Sequence, residues 1–305
     1  HDCSRINRTC LYFYYKKKGK KLVKINKKFI VAAISAALLA GGAVMLTKDD
    51  ISQKIKEKEL IPYMPAPIIL AELDDAVPEV PTEEIQAETE YVKSENITDF
   101  SDITPETPVS EAPSENVQNE LRETVRNIQT VYPDTVGWLY IPDTSVNYPV
   151  MQGGDNDFYL HHAYDGSWLS SGSVFLDFRC ESRFMNNLNV LYGHHMNNGS
   201  MFAGVCNFKN YGYFQAHKYG WLVTADDVYR IDFFSAAVTD CDDEIYSGFE
   251  NTADRLSHIY DISAIYEPME ISEQDRLVLL STCSYEFENA RTVLTGKLVR
   301  MEDDV

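Results

Sequence analysis

Positive charge is scarce in this sequence beyond its first residues. The 305-residue chain carries 27 Lys and Arg against 47 Asp and Glu, a formal net charge of -20. Such a balance argues against a nucleic-acid partner, because phosphate binding needs a basic patch that releases counterions. Paired cysteines are missing too. The six Cys show no CxxC spacing, which speaks against a structural zinc site, and no cofactor motif is visible. The G-x-S-x-G elbow of serine hydrolases is absent, as is any internal repeat.

What basic charge there is concentrates in one place. Lys16, Lys17, Lys18, Lys20, Lys21, Lys24, Lys27 and Lys28 directly precede Phe29 to Leu46, a stretch with no charged residue. As a helix this stretch spans about 27 Å, close to the thickness of a hydrocarbon core. A cleaved signal peptide would show the same polarity, but its apolar region is usually shorter, about 7 to 15 residues. The length favours a single transmembrane anchor at 29–46, with the basic segment 1–28 cytoplasmic and the remainder outside the cell. Cys3 and Cys10 then fall on the cytoplasmic side, leaving Cys180, Cys206, Cys241 and Cys283 in the exported part.

From Asp49 to Glu115 the chain has eighteen Asp or Glu against four Lys, and eight of its twelve prolines. A segment of this composition buries too little apolar surface to offset its ordering entropy, so 47–114 is expected to be an acidic stalk. At Ser114 the pattern changes. Val117, Leu121, Val125 and Ile128 recur at spacings of three and four, which predicts a helix from about 115 to the residues before Pro133.

Beyond it, short apolar runs alternate with turn residues: GWLYIPDTSVNYPV, SGSVFLDF, NVLYGHHM, GWLVTADDVYRIDFFSAAV, RLVLLSTC and RTVLTGKLV. This predicts a mainly β sandwich or barrel. DRLSHIYDISAI interrupts it as a helix within a long connection, with Leu256, Ile259, Tyr260 and Ile262 or Ser263 near one face.

Two segments carry chemistry. Leu277 to Leu280 is a continuous apolar run, expected of a strand buried on both sides, and Cys283 stands where it ends. Arg291 opens the next strand, eight positions on. An antiparallel pair would bring the thiol and the guanidinium to one end of the sheet, the setting in which thiols become nucleophiles. From these residues alone, a small buried Cys and a surface Arg fit equally well. In the second segment, NVLYGHHMNNGSMF, a strand ends at Gly193 and is followed by His194 and His195, well placed for acid–base work. Neighbouring His residues on an extended chain point opposite ways, so neither this pair nor His161 with His162 is expected to hold a metal.

YGHHM together with LSTCSYEFENAR resembles the sortase family, and GWLYIPDTSVNYPVMQGGDNDFYL and GSVFLDFR are similar to its class B members. The resemblance covers about residues 115 to 300. It implies a closed barrel of about eight strands with an N-terminal helix and a helix in a long inter-strand loop, forming a catalytic domain at 115–305. It also implies a cysteine transpeptidase with Cys283 as nucleophile, His194 rather than His195 as acid/base, Arg291 as oxyanion stabiliser and Ser281 as a substrate-positioning hydroxyl. The expected partners are exported proteins bearing a C-terminal sorting motif and a peptidoglycan amine, at the Gram-positive cell surface and with no cofactor. The chain carries no sorting motif or hydrophobic tail before MEDDV, so it resembles the ligase rather than its cargo. The rival readings are an L,D-transpeptidase, whose S-H-G-C motif is missing, an exported cysteine peptidase, and a non-catalytic stalk-mounted binding domain.

Overall fold

The computed structural model describes residues 48–60 and 114–301, apart from 248 and 250. Helix α1 (Lys48–Leu60) and helix α2 (Glu115–Val131) precede strands β1 (Thr135–Tyr140), β2 (Asn147–Met151), β3 (Val174–Leu176) and β4 (Leu188–Tyr192). A 3-10 segment, Phe202–Lys209, and helix α3 (Tyr211–Ala216) lead into β5 (Tyr219–Val223) and the long β6 (Val228–Asp240). A 3-10 turn, Glu244–Tyr246, then precedes helix α4 (Thr252–Ile262), β7 (Ser263–Tyr266), β8 (Arg276–Cys283) and β9 (Ala290–Arg300).

The strands are ordered β5-β1-β2-β3-β4-β8-β9-β6-β7, and β6 also pairs with β5. Eight strands therefore close into a barrel, with β7 added to the part of β6 that runs beyond β5. Neighbours are antiparallel except β2 with β3 and β4 with β8.

Alternation along β8 shows why Leu277 to Leu280 is apolar throughout. Val278 and Leu280 point inward to join Leu191, Leu222, Ile231 and Leu294 in the barrel core. Leu277 and Leu279 point outward and are covered, with Val190, Phe234 and Val293, by Ile245 and Ile259. Such a strand has no solvent face, so period 2 disappears from its sequence.

The stripe of α2 behaves as its spacing requires. Val117, Leu121, Val125 and Ile128 are all buried, packed with Trp138, Trp221 and Val223 on the outside of β1 and β5. At about 1.5 to 3 kcal/mol for each fully buried side chain, this row is what holds the helix to the barrel. In α4, Ile259 is fully buried, whereas Tyr260 is 62% exposed and lies off the covered face expected for it.

Helix α1 falls inside the stretch expected to be a stalk. KDDISQKIKEKEL is rich in helix formers, and Lys56 with Glu59 adds an i,i+3 ion pair. The helix is fastened at several points. Gln53 donates to Ser200 Oγ (2.6 Å), Lys56 pairs with Asp165, and Tyr164 donates to the carbonyl of Lys56 (3.1 Å). Leu60 packs with Met151, Tyr159, Tyr164 and Phe175. Among the described residues no helix is long and apolar enough to cross a membrane, and the expected anchor at 29–46 lies outside them.

Candidate active site

The site lies where the outer cover of the barrel stops. On the outward row of β8, Leu277 and Leu279 lie under α4 and Ser281 lies under Tyr246, but Cys283 is only half-buried. Cys283 is the cross-strand partner of Arg291 on β9, so their side chains share that outer face.

The opposite edge of β8 meets β4. Tyr192 pairs with Ser281, and the N–H of Gly193 donates to the carbonyl of Ser281 at 3.2 Å, the last backbone bond between the two strands. His194 follows Tyr192 by two residues, as Cys283 follows Ser281. The three residues thus come to one end of three adjacent strands in the order Arg291, Cys283, His194.

Gly193 has a steric reason to be glycine. A Cβ there would lie 2.7 Å from Cγ and 2.8 Å from Cδ2 of Phe202, whose ring is fully buried. The backbone of Phe202 also donates to the carbonyl of His194 (2.9 Å), so one residue packs beneath the turn and fastens it.

The imidazole of His194 is held by a neighbour that spacing cannot reveal. Its Nε2 lies 2.8 Å from the carbonyl of Leu160. A carbonyl only accepts, so Nε2 carries a proton and Nδ1 is the nitrogen left to exchange one. Burial lowers the His194 pKa, and the nearby ring of His161 lowers it further against the opposing effect of the Leu160 carbonyl. His161 itself stacks on Trp168, and His162 stacks on Phe158 with its Nδ1 at the Phe158 carbonyl.

The guanidinium of Arg291 donates to the carbonyls of Asn289 (3.2 Å) and Ala290 (3.0 Å), which fixes the side chain at the start of β9. Tyr246 and Cys241 lie within its electrostatic reach, and burial pushes the Tyr246 phenol up to about 12. Ser281 is 2% exposed, and its Oγ meets the Tyr246 hydroxyl at 2.8 Å. In the β8–β9 loop, Glu286 pairs with Lys209 rather than with either His. Burial opposes ionisation of Glu286, but the lysine prevails and holds its pKa down at about 2.

The other thiols are placed differently. Burial raises the pKa of both Cys180 and Cys206, which keeps them protonated. All four described cysteines are free. Two site elements went unseen in the sequence, the Leu160 carbonyl and Tyr246. His195, passed over there in favour of His194, has its Nδ1 3.0 Å from the carbonyl of Cys283.

A closed barrel presenting Cys, His and Arg at one strand end is an arrangement for acyl transfer through a thioester. Sortase B of Listeria monocytogenes is 34% identical over 195 residues, spanning 62% of this chain and 79% of the relative. Sortase B of Staphylococcus aureus is 30% identical over 190 residues, spanning 60% of this chain and 78% of the relative. Among solved structures, the Staphylococcus aureus sortase B-substrate complex matches with a TM-score of 0.56 at 29% identity, covering 60% of this chain and 87% of that one. Clostridium perfringens sortase B matches with a TM-score of 0.53 at 34% identity, covering 57% of this chain and 98% of that one. No family model matches the chain. The chain belongs to the sortase family and, within it, to class B. Its activity is that of a cysteine transpeptidase.

Proposed function

We propose that Cys283 is the nucleophile of this transpeptidase, His194 its acid/base, Arg291 its oxyanion stabiliser and Ser281 a residue that serves substrate positioning. The observation that supports the assignment is the register: Cys283 opposite Arg291 on one side, and the Tyr192 to Ser281 pairing two residues before His194 and Cys283 on the other.

In the first half-reaction the Cys283 thiolate attacks a backbone carbonyl of the sorting motif. A C–S bond forms and the carbonyl π electrons move to oxygen. Arg291 faces that oxyanion, and a single preorganised donor in this role is worth about 3 to 4 kcal/mol. Collapse breaks the C–N bond, and His194 delivers a proton to the departing amine, leaving a thioester. An incoming peptidoglycan amine then attacks the thioester, His194 takes its proton, and the sulfur leaves as thiolate. Ser281 acts through Tyr246, because its hydroxyl is sealed beneath that ring.

The chain organisation follows the same reading. The lysine-rich segment 1–28 stays in the cytoplasm, 29–46 anchors the protein in the membrane, 47–114 is the tether, and 115–305 is the catalytic domain outside a Gram-positive cell. The first part of the tether folds as α1 against the barrel.

The test is cleavage of Asn-Pro-x-Thr-like peptides with and without an added amine, followed by mass spectrometry of the thioester. Cys283→Ala is expected to abolish both cleavage and the thioester. Arg291→Lys is expected to be severely impaired, since an ammonium cannot reproduce the planar fork. Undiminished turnover in Cys283→Ala would remove the mechanism.

A further inference from the structure

The carbonyl of Cys283 poses a problem that the strand ladders do not solve. Along a strand, carbonyls two residues apart point to the same side. The Ser281 carbonyl faces β4 and is taken by the N–H of Gly193. The Cys283 carbonyl therefore also faces β4, but β4 has already ended at Tyr192 and its chain has turned toward Phe202.

His195 fills that place. Its Nδ1 lies 3.0 Å from the Cys283 carbonyl, which can only accept, so Nδ1 carries the proton. The ring is held from two directions. The sulfur of Cys206 lies 3.4 Å from Nδ1 and also donates to Thr292 Oγ1 at 3.5 Å. The ring of Tyr285 meets the imidazole edge to face, with centroids 5.3 Å apart.

We propose that His195 is a positioning residue, whose Nδ1–H supplies the missing rung between β4 and β8 and thereby sets Cys283 at the height required for attack. The inference rests on Cys283 being the nucleophile. His195 acts through the Cys283 carbonyl: it holds the backbone from which the thiol projects. The adjacent histidines thus divide the work, His194 over the reacting atoms and His195 behind them.

The experiment compares His195→Ala, His195→Asn and His195→Gln in the full chain. The side-chain amide of Asn places its N–H where Nδ1 stands, and that of Gln is one methylene longer. Three quantities are read: kcat and KM for peptide cleavage, the alkylation rate of Cys283 by iodoacetamide, and Tm. Misalignment on the ångström scale costs up to about 100-fold, so kcat of His195→Ala should fall about 10- to 100-fold with KM nearly constant. Iodoacetamide needs no alignment, so its rate should stay within about twofold while kcat falls. His195→Asn should recover most of the loss, and His195→Gln should not.

Turnover of a folded His195→Ala close to wild type would overturn the proposal, as would Asn performing no better than Ala, or alkylation falling in step with kcat. Where Ala fails to fold, the contrast between Asn and Gln decides. Cys283→Ala, assayed alongside, tests the nucleophile separately: activity there defeats that reading whatever His195 does.

Discussion

Replacing Gly193 by Ala puts one methyl group where the Phe202 ring already stands. The added Cβ would lie 2.7, 2.8 and 3.1 Å from three ring carbons, against about 3.5 to 4.0 Å for a relaxed contact. Either the ring or the Gly193 backbone must retreat by close to 1 Å. The ring is fully buried at the start of a 3-10 segment, so overpacking should cost about 1 to 3 kcal/mol. In a domain of this size that is a fall of about 2 to 12 °C in Tm. If the backbone yields, the Gly193 bond to Ser281 stretches and His194 shifts relative to Cys283, with a loss in turnover of up to about 100-fold. Urea denaturation and peptide cleavage measure the two effects. Phe202→Leu in the Gly193→Ala background should restore part of each, giving a coupling of about 1 kcal/mol in a double-mutant cycle. A stability change within about 0.5 kcal/mol together with unchanged turnover, or strictly additive variants, would refute the steric argument.

Two further outcomes are expected. His161→Gln removes a ring whose charge disfavours protonation of His194, while burial, the larger cause, remains; the His194 midpoint should therefore move up, which NMR titration would detect. A static midpoint would refute the coupling. Asp177 is buried and accepts from Arg179, Asn156 and Tyr192. Burial alone would raise its pKa, but these partners hold it below the usual carboxylate range. Its stabilising effect is therefore present at pH above the unfolded value near 3.9 and is lost as pH falls through the folded value. Arg179→Ala should cost about 1 to 2 kcal/mol at neutral pH, discounted because Arg179 is half exposed, and the difference should close in acid. A penalty that stays constant down to strongly acidic pH would contradict this linkage.

The sequence was most legible where burial is one-sided or complete over several residues. The spacing of Val117, Leu121, Val125 and Ile128 shows through because α2 buries a single stripe. Leu277 to Leu280 is equally plain because β8 is covered on both faces. Strand β7 was hidden, since Ser263–Tyr266 follows α4 with no turn residue and pairs only with β6. Helix α1 was obscured by its acidic, proline-rich surroundings, and what fastens it is long-range: Ser200, Asp165 and Tyr164. In the site, residue types marked Cys283, Arg291 and His194, but a backbone acceptor such as Leu160 carries no side-chain signature. The roles of His194 and His195 could not be separated by periodicity. In the structure one ring reaches a carbonyl of the β2–β3 connection and the other a carbonyl of β8.

The parallel pairing of β4 with β8 also bears on how the protein reaches its working state. His194 and Cys283 are 89 positions apart in the chain, and β5, β6 and α4 all intervene. Contacts of such sequence separation form late, because loop closure must precede any gain from them. In the unfolded chain the two residues are therefore apart, and the site proposed for acyl capture assembles only as β4 and β8 pair.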